Sequence, residues 1–444
     1  MKKVELPTAF VDRVSKDPFL GDSLLQALNE EQPIAIRINS SKDPDFKNLE
    51  PIPWSKNGFY LKERPIFTLD PHFHGGSYYP QEAGSQFIDC ILRQLDLPDE
   101  PVLLDLCAAP GGKSTLIADF LDGHGLLLAN EVIQNRSKIL KENLTKWGAK
   151  NSLVSNNDPS DFESLKSVFD CILIDAPCSG EGMFRKDQEA RNEWSVESVN
   201  LCAARQKRIV MDVWDSLKPG GFLIYSTCTF NAQENEDNVQ WILDQTNSQI
   251  HSLEIPFAKK GRKDIGYYAL PSILKTEGFY VVVIQKLGEA RTQKIKFKKK
   301  STLTKLKPEA WFNQWVGDSK SEFIQWNNYL FAIPEGKSEL VETLHTHLRI
   351  IKMGTELGEI SRKGLIPNEA LALDPSILSD QVPNIELDRD QALHYLKGET
   401  FNLEGIQGFH TVSFEGTKLG WIKHLGNRFN NLFPKEWRIR MRID

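Results

Sequence analysis

The sequence is sparing with the features that mark secreted, metal-binding or membrane proteins. Its 444 residues hold six cysteines (Cys90, Cys107, Cys171, Cys178, Cys202 and Cys228), and no two form a C-x-x-C pair. Thiols scattered this way through a large chain make neither a disulfide framework nor a thiolate zinc site, so free thiols are expected. His72 and His74 form an H-x-H with no third ligand nearby, which assigns them to an aromatic-rich loop; no metal is expected. No apolar run approaches membrane-spanning length, and MKKVELPTAFVDRVSKD lacks the apolar stretch of a secretory signal. The expectation is a cytoplasmic protein with no membrane partner. An excess of positive charge is also missing. The net charge of -6 and pI near 5.9 argue, taken alone, against nucleic acid.

What is present reverses part of that picture. Between Lys286 and Lys307 the segment KLGEARTQKIKFKKKSTLTKLK is strongly basic, and the chain ends in KEWRIRMRID, with Arg438, Arg440 and Arg442 at alternate positions. If that ending is a strand, the three guanidinium groups share one face. Each run reads equally well as solvated charge or as a phosphate contact.

Composition shifts divide the chain at residues 1–95, 96–286, 287–307, 308–375 and 376–444. The first part has helix-like apolar spacing (Phe10, Val11, Val14, Phe19, Leu24, Leu25, Leu28), the strand-like IAIRIN and a loop-rich aromatic stretch, giving a small mixed lobe. From Pro101 the runs VLLDLC, GLLLANE, SLVSN, FDCILIDAP and FLIYST alternate with amphipathic stretches, which predicts α/β units around a parallel sheet. Helices are expected over 137–147, over 199–217 before a KPGG turn, and over 234–243; FYVVVIQK closes the unit. Residues 308–375 suggest a small α+β unit, and 376–444 a β-rich one.

In open α/β sheets ligands gather at the carboxyl ends of the strands, beside the point where strand order reverses. The first ending, DLCAAPGGKST, leads through Cys107, Ala108, Ala109, Pro110, Gly111 and Gly112 into a helix near Lys113. Such a turn suits the carboxylate of an amino-acid moiety at the helix amino end. It is neither G-x-G-x-x-G nor a Walker loop. Glu131, about twenty residues past the glycines, stands where an acid binds ribose hydroxyls. Ribose without pyrophosphate fits S-adenosylmethionine. Asp158 is either an acceptor for the adenine amino group or a turn acid before Pro159.

The remaining endings, DAPCSGEGMFRK and YSTCTF, place Cys178 and Cys228 at the same sheet edge. Carbon 5 of cytosine is a poor nucleophile, and methylating it requires a thiolate to add at carbon 6 and turn the ring into an enamine. A base must then remove the carbon 5 proton before the adduct can break down, and a second thiol can help there. Asp175 could hold the ring at nitrogen 3, and Lys113 could add positive field. Spacing alone does not say which cysteine attacks.

The motifs CAAPGGK, DAPCSGEG with the following FRKD, and STCTF, in that order, resemble the Nop/Sun group of bacterial RNA cytosine-5 methyltransferases, in particular its RsmF (YebU) type acting on small-subunit ribosomal RNA. RIN at 37–39, YYPQEAGSQF near 80 and LPSILKTEGFY near 275 support the resemblance, which covers most of the chain. It implies a Rossmann-like class I methyltransferase sheet with a mixed N-terminal RNA-binding lobe and C-terminal α+β and PUA-like β domains. It also implies Cys228 as nucleophile, Cys178 assisting product release, and cofactor contacts from Cys107 through Lys113 and from Glu131, Asp158 and Asp175. Here NNDP replaces the more usual Asp-Gly at Asp158. GWIKHLGNRFNNLFPKEWRI resembles the RsmF-type PUA-like barrel, which makes the basic residues candidate phosphate contacts. The partner implied is structured RNA, as naked ribosomal RNA or the assembled subunit; no obligate protein partner is implied. Other readings are the same reaction on transfer RNA, a DNA cytosine-5 methyltransferase, disfavoured by the cysteine of STCTF, and a silent assembly factor that keeps the fold.

Overall fold

A computed structural model describes residues 4–443 except 43–45, 47, 290–301, 308–311, 313, 318–319 and 363. Most of the basic segment 287–307 lies outside the described residues. At the centre, five parallel strands run in the spatial order Ser152–Ser155, Leu126–Asn130, Val102–Asp105, Phe169–Asp175, Leu217–Thr227. The first three are buried at every position, because helices cover both faces of a parallel sheet and leave no face for alternating polar residues. Phe279–Lys286, the last apolar run, pairs antiparallel with Leu217–Thr227.

The helices follow from one-sided burial. In Gln134–Trp147 the buried Ser137, Leu140, Leu144 and Trp147 recur every three or four residues. Gly148 ends this helix at φ +77°, where an added Cβ would meet the Leu373 carbonyl oxygen at 2.3 Å, so a glycine is required. The long helix is Val196–Trp214, started by a Ser195–Ser198 capping box. It stops three residues before the expected end because KPGG belongs to the next strand: pairing passes from Phe169↔Leu217 to Cys171↔Phe222, and the intervening residues bulge out with Gly220 at φ +81°. The third expected helix spans Glu236–Gln245.

Val102–Asp105 lies between Leu126–Asn130 and Phe169–Asp175, so the chain leaves it in one direction and returns on its other side. This is the reversal point beside which ligands bind.

The N-terminal lobe contributes the strands Ile34–Ile38, Glu50–Pro51, Gly58–Leu61 and Tyr78–Pro80. Its first two helices, Thr8–Ser15 and Asp22–Ala27, bury Phe10, Val14 and Leu24 in the core shared with the central sheet; Phe10 packs edge-on against Phe184 and Trp194.

Toward the carboxyl end a second sheet joins Thr304–Leu306, Ser321–Trp326, Tyr329–Pro334, Thr355–Ser361 and Gly364–Pro367. The strand Ile350–Met353 from the same stretch pairs antiparallel with Ser152–Ser155, covering an edge of the central sheet that would otherwise stand open. The last sheet joins Asn384–Glu386, Gly408–Phe414, Thr417–His424 and Phe429–Asn431. His72 of the N-terminal lobe meets its Thr417 and Glu415 at 2.9 and 3.1 Å, and His74 is buried with Nε2 3.0 Å from the Thr68 carbonyl.

The arginine-rich ending is not a strand. Ile439 is buried and its N–H donates to the Leu396 carbonyl at 3.1 Å. Arg438 packs over Gly398, where a Cβ would lie 2.2 Å from its Nε, and Arg440 and Arg442 are exposed. The buried isoleucine anchors the segment, so the three guanidinium groups do not share a strand face.

Candidate active site

The turn after Val102–Asp105 carries Cys107, Ala108, Ala109 and Pro110 to Gly111, the left-handed N-cap (φ +117°) of helix Gly112–Leu121. A Cβ on Gly111 would meet Leu140 Cδ1, and one on Gly112 would meet Tyr79 Cε1, each at 3.3 Å, so small residues keep the turn close to its surroundings. Arg136 and Asn143, on the neighbouring helix, donate to the Ala109 and Pro110 carbonyls, each at 2.8 Å. The resulting cleft is lined by Tyr79, Gln81, Asp105, Cys107–Pro110, Gly112, Lys113 and Asp175.

Lys113 Nζ lies 2.8 Å from Asp175 Oδ2, and Ser226 Oγ donates to Asp175 Oδ1 at 2.9 Å. Burial pulls the Lys113 ammonium down, but the Asp175 carboxylate more than offsets it and the group sits above its usual range. Asp105 is fully buried; burial lifts its carboxyl to about 7 against the bond donated by Ser114 Oγ at 2.6 Å, and Asp105 Oδ1 has no hydrogen-bond partner. Burial raises the Cys107 thiol as well. Glu131 is buried at the next strand end, accepting from Ile133 N at 2.8 Å and lying 3.4 Å from Arg136.

Across the cleft, Cys178 and Cys228 follow the ends of Phe169–Asp175 and Leu217–Thr227 with their sulfurs 3.0 Å apart, and Cys228 N donates to Cys178 Sγ at 3.3 Å. The contact with Cys228 is the main reason the Cys178 thiol lies well above its usual range; burial adds to it.

Most of the expected residues therefore meet at one strand edge. Asp158 does not line the cleft: it caps the short helix Pro159–Ser164, accepting from Ser160 N and Oγ at 3.1 and 2.8 Å and lying 3.5 Å from Arg208. The sequence reading missed Arg37, Gln81, Asp105, Glu181 and Glu234. Arg37, from the N-terminal lobe, is 1% exposed, donates to Gln81 Oε1 at 2.9 Å and Thr115 Oγ1 at 2.5 Å, and stacks on Trp147 at 4.4 Å. The signal for Gln81 and Asp105 was available, since both stand inside motifs already singled out.

The description "16S rRNA methyltransferase RsmB/F" matches residues 92–285, flanked by "N-terminal domain of 16S rRNA methyltransferase RsmF" over 6–83 and "Methyltransferase RsmF PUA domain" over 382–439. Proteins named ribosomal RNA small subunit methyltransferase F are 30% identical in Shewanella loihica, over 98% of this chain and 95% of the relative, and 31% identical in Vibrio cholerae, over 98% of each. The chain belongs to the RsmB/F family. A methyltransferase homolog protein from Pyrococcus horikoshii shares the fold with a TM-score of 0.55 at 27% identity, covering 63% of this chain and 95% of its own. The RsmB/F match spans all five parallel strands and both cysteine loops, and the RsmF PUA match spans the last sheet.

Proposed function

We propose that this chain methylates carbon 5 of a cytosine in small-subunit ribosomal RNA, with S-adenosylmethionine as donor and Cys228 as the covalent nucleophile. The observation that carries the reading is the pair of sulfurs 3.0 Å apart beside the Lys113–Asp175 ion pair. The donor set fits the cofactor: a glycine cradle at a helix amino end suits its carboxylate, the orphaned Asp105 Oδ1 faces the same turn, and Glu131 suits ribose hydroxyls. When bound, it supplies an electrophilic methyl group. Asp158 joins this set only if it gives up its capping bonds.

The chain's own residues divide the work. The family resemblance assigns attack on carbon 6 to Cys228, and Cys178, with its sulfur 3.0 Å away, is the thiol placed to assist release. Asp175, fixed by Lys113 and Ser226, holds the ring edge at nitrogen 3 while negative charge develops. Once Cys228 is bonded to carbon, the largest cause of the high Cys178 pKa is gone. Cys178 can then lose its proton to solvent and take the proton from carbon 5; the carbon 6–sulfur bond breaks and its electron pair returns to Cys228. The N-terminal lobe and the PUA-like sheet supply base-independent contacts to structured RNA. Among the described residues no helix is long and apolar enough to cross a membrane; a ribosomal RNA substrate supports a cytoplasmic site of action.

The test is incubation with labelled S-adenosylmethionine and, separately, unmodified small-subunit particles, naked ribosomal RNA and transfer RNA. Label in 5-methylcytosine from a ribosomal substrate is expected. Cys228→Ala should abolish transfer and Cys178→Ala should trap protein–RNA adduct. The reverse pattern would exchange the two roles, label from transfer RNA alone would change the substrate, and no label anywhere would favour a silent assembly factor.

A further inference from the structure

The two cysteine loops are held together by buried acids that the mechanism above does not use. Glu234, fully buried beyond the TCTF loop, reaches back to the Cys178 loop: its carboxylate accepts from Ser179 N at 3.0 Å and from Ser179 Oγ, the residue directly after Cys178. Its third donor is Gln206 Nε2 at 2.9 Å, from the long helix. Gln206 cannot turn over to offer its oxygen, because Oε1 already accepts from Tyr225 Oη at 3.0 Å and Asn238 Nδ2 at 2.7 Å, and Nε2 also donates to the Pro177 carbonyl. Ser179 N and Gln206 Nε2, both on one carboxylate oxygen, can only donate; the Ser179 hydroxyl on the other oxygen can also accept, and Thr229 Oγ1 lies 3.1 Å from it.

Glu181 does the reverse. It belongs to the Cys178 loop and accepts from Phe230 N at 3.1 Å in the Cys228 loop, while Arg13 and Trp194 hold its other oxygen. Gly182 N donates to the Cys228 carbonyl at 2.8 Å. Each loop is pinned by an acid from the other.

We propose that Glu234 is a positioning residue that sets the Cys178 sulfur against Cys228, so that its loss impairs release of methylated RNA more than attack on it. The inference rests on the thiol roles proposed above. Glutamine is nearly isosteric but must reverse the bond to Ser179 Oγ, whose hydrogen then turns to Thr229 Oγ1, and it replaces charge-assisted bonds by weaker neutral ones, which loosens the Ser179 end of the Cys178 loop. Displacement of a reacting group by about 1 Å costs roughly 10²-fold in rate. Cys228, tied separately through Glu181 and Gly182, keeps its place. The titratable groups facing Glu234 are Cys178 and Glu181 from the loop and Cys202 from the helix, with Tyr225 from the strand beneath.

The experiment compares wild type, Cys178→Ala, Glu234→Gln and the double variant in single turnovers on unmodified small-subunit RNA, reading methyl transfer and covalent adduct separately. Glu234→Gln should transfer methyl within roughly threefold of wild type while adduct decay slows by roughly 10²-fold. The double variant should release no more slowly than Cys178→Ala alone. Normal release, faster release from a more acidic Cys178, or loss of transfer and release in equal measure would each overturn the positioning role. Should Glu234→Gln fail to fold, Ser179→Ala removes the hydroxyl donor alone and should give a smaller slowing of the same step; unchanged release there overturns it equally. A wild type that transfers no methyl, or a Cys178→Ala variant that traps no adduct, would instead defeat the functional reading beneath it.

Discussion

Replacing Arg37 by methionine tests whether the N-terminal lobe builds the cofactor cleft. The side chain is 1% exposed, and its guanidinium bridges Gln81 Oε1 at 2.9 Å and Thr115 Oγ1 at 2.5 Å while stacking on Trp147. Two charge-assisted hydrogen bonds contribute about 3–6 kcal/mol, and a desolvated cation–π contact about 2 kcal/mol more. Against this stands the cost of burying the charge, which lowers the Arg37 pKa from 12.5 to about 10 even with Asp119 nearby. That shift is worth about 3 kcal/mol, and methionine, similar in reach, recovers it. The balance is a net loss of about 2–5 kcal/mol. Asp119 is spared because Ser40 and Asn57 also donate to it; Gln81 Oε1 loses its donor. Differential scanning calorimetry should show the transition containing the methyltransferase unit falling by about 5–10 °C, and calorimetric titration should show weaker S-adenosylmethionine binding, because Gln81 and the Gly112 turn line the cleft. A variant that melts within a degree of wild type, or higher, would show that the burial cost outweighs the contacts and refute the reasoning.

Stability should also depend on pH through Asp105. Burial holds its carboxyl at about 7, and Glu234 and Glu277 at about 7 as well, whereas unfolded carboxyls titrate near 4. Between those values the folded state binds more protons, so the stability these groups give is complete below pH about 4 and is lost as pH rises through about 7. Asp105→Asn should flatten that part of the urea-midpoint profile measured from pH 5 to 8 without abolishing it, since other raised acids remain, Glu234, Glu277, Glu369 and Asp374 among them; an unaltered slope would mean that Asp105 is ionised throughout. At the other end of the chain, Arg440→Gln with Arg442→Gln should weaken RNA binding without altering the product nucleoside. It should reduce the slope of log affinity against log salt by about 1.5, and an unchanged slope would remove both residues from the phosphate contacts.

The parts of the fold that were legible in the sequence are those in which local pattern and tertiary environment agree. VLLDLC, GLLLANE and SLVSN read as strands because a sheet covered on both faces needs unbroken apolar runs, and the residues that follow VLLDLC line the cleft at that strand's end. KPGG reads as a turn from its composition; only pairing with a neighbouring strand makes it a bulge. Arg37 is invisible for a related reason. A charged residue between isoleucines in IAIRIN has the pattern of a solvent-facing position, and nothing local says that Gln81 and Thr115 fill the space above it. Glu181, inside DAPCSGEG, and Glu234, beyond STCTF, likewise resemble surface acids. The sequence leaves Asp158 open between an adenine contact and a turn acid before Pro159, and the structure shows it capping the short helix that follows.

These buried charges have a common direction. Arg13 of the first helix donates to Glu181 in the Cys178 loop, and Arg191, 4% exposed, donates to the Phe184, Val4 and Leu28 carbonyls. The DAPCSGEG loop and the residues after it therefore rest on the first thirty residues of the chain as much as on the sheet that precedes them. A parallel sheet delivers its strand ends to one edge but leaves the loops there without backbone partners. In this protein the N-terminal lobe provides such partners: Arg13 for Glu181 of the Cys178 loop, the Val4 and Leu28 carbonyls for Arg191 beyond it, and Arg37 at the glycine turn. Placement of the Cys178 loop thus draws on the N-terminal lobe, and weakening the docking of that lobe should disturb the pairing of Cys178 with Cys228.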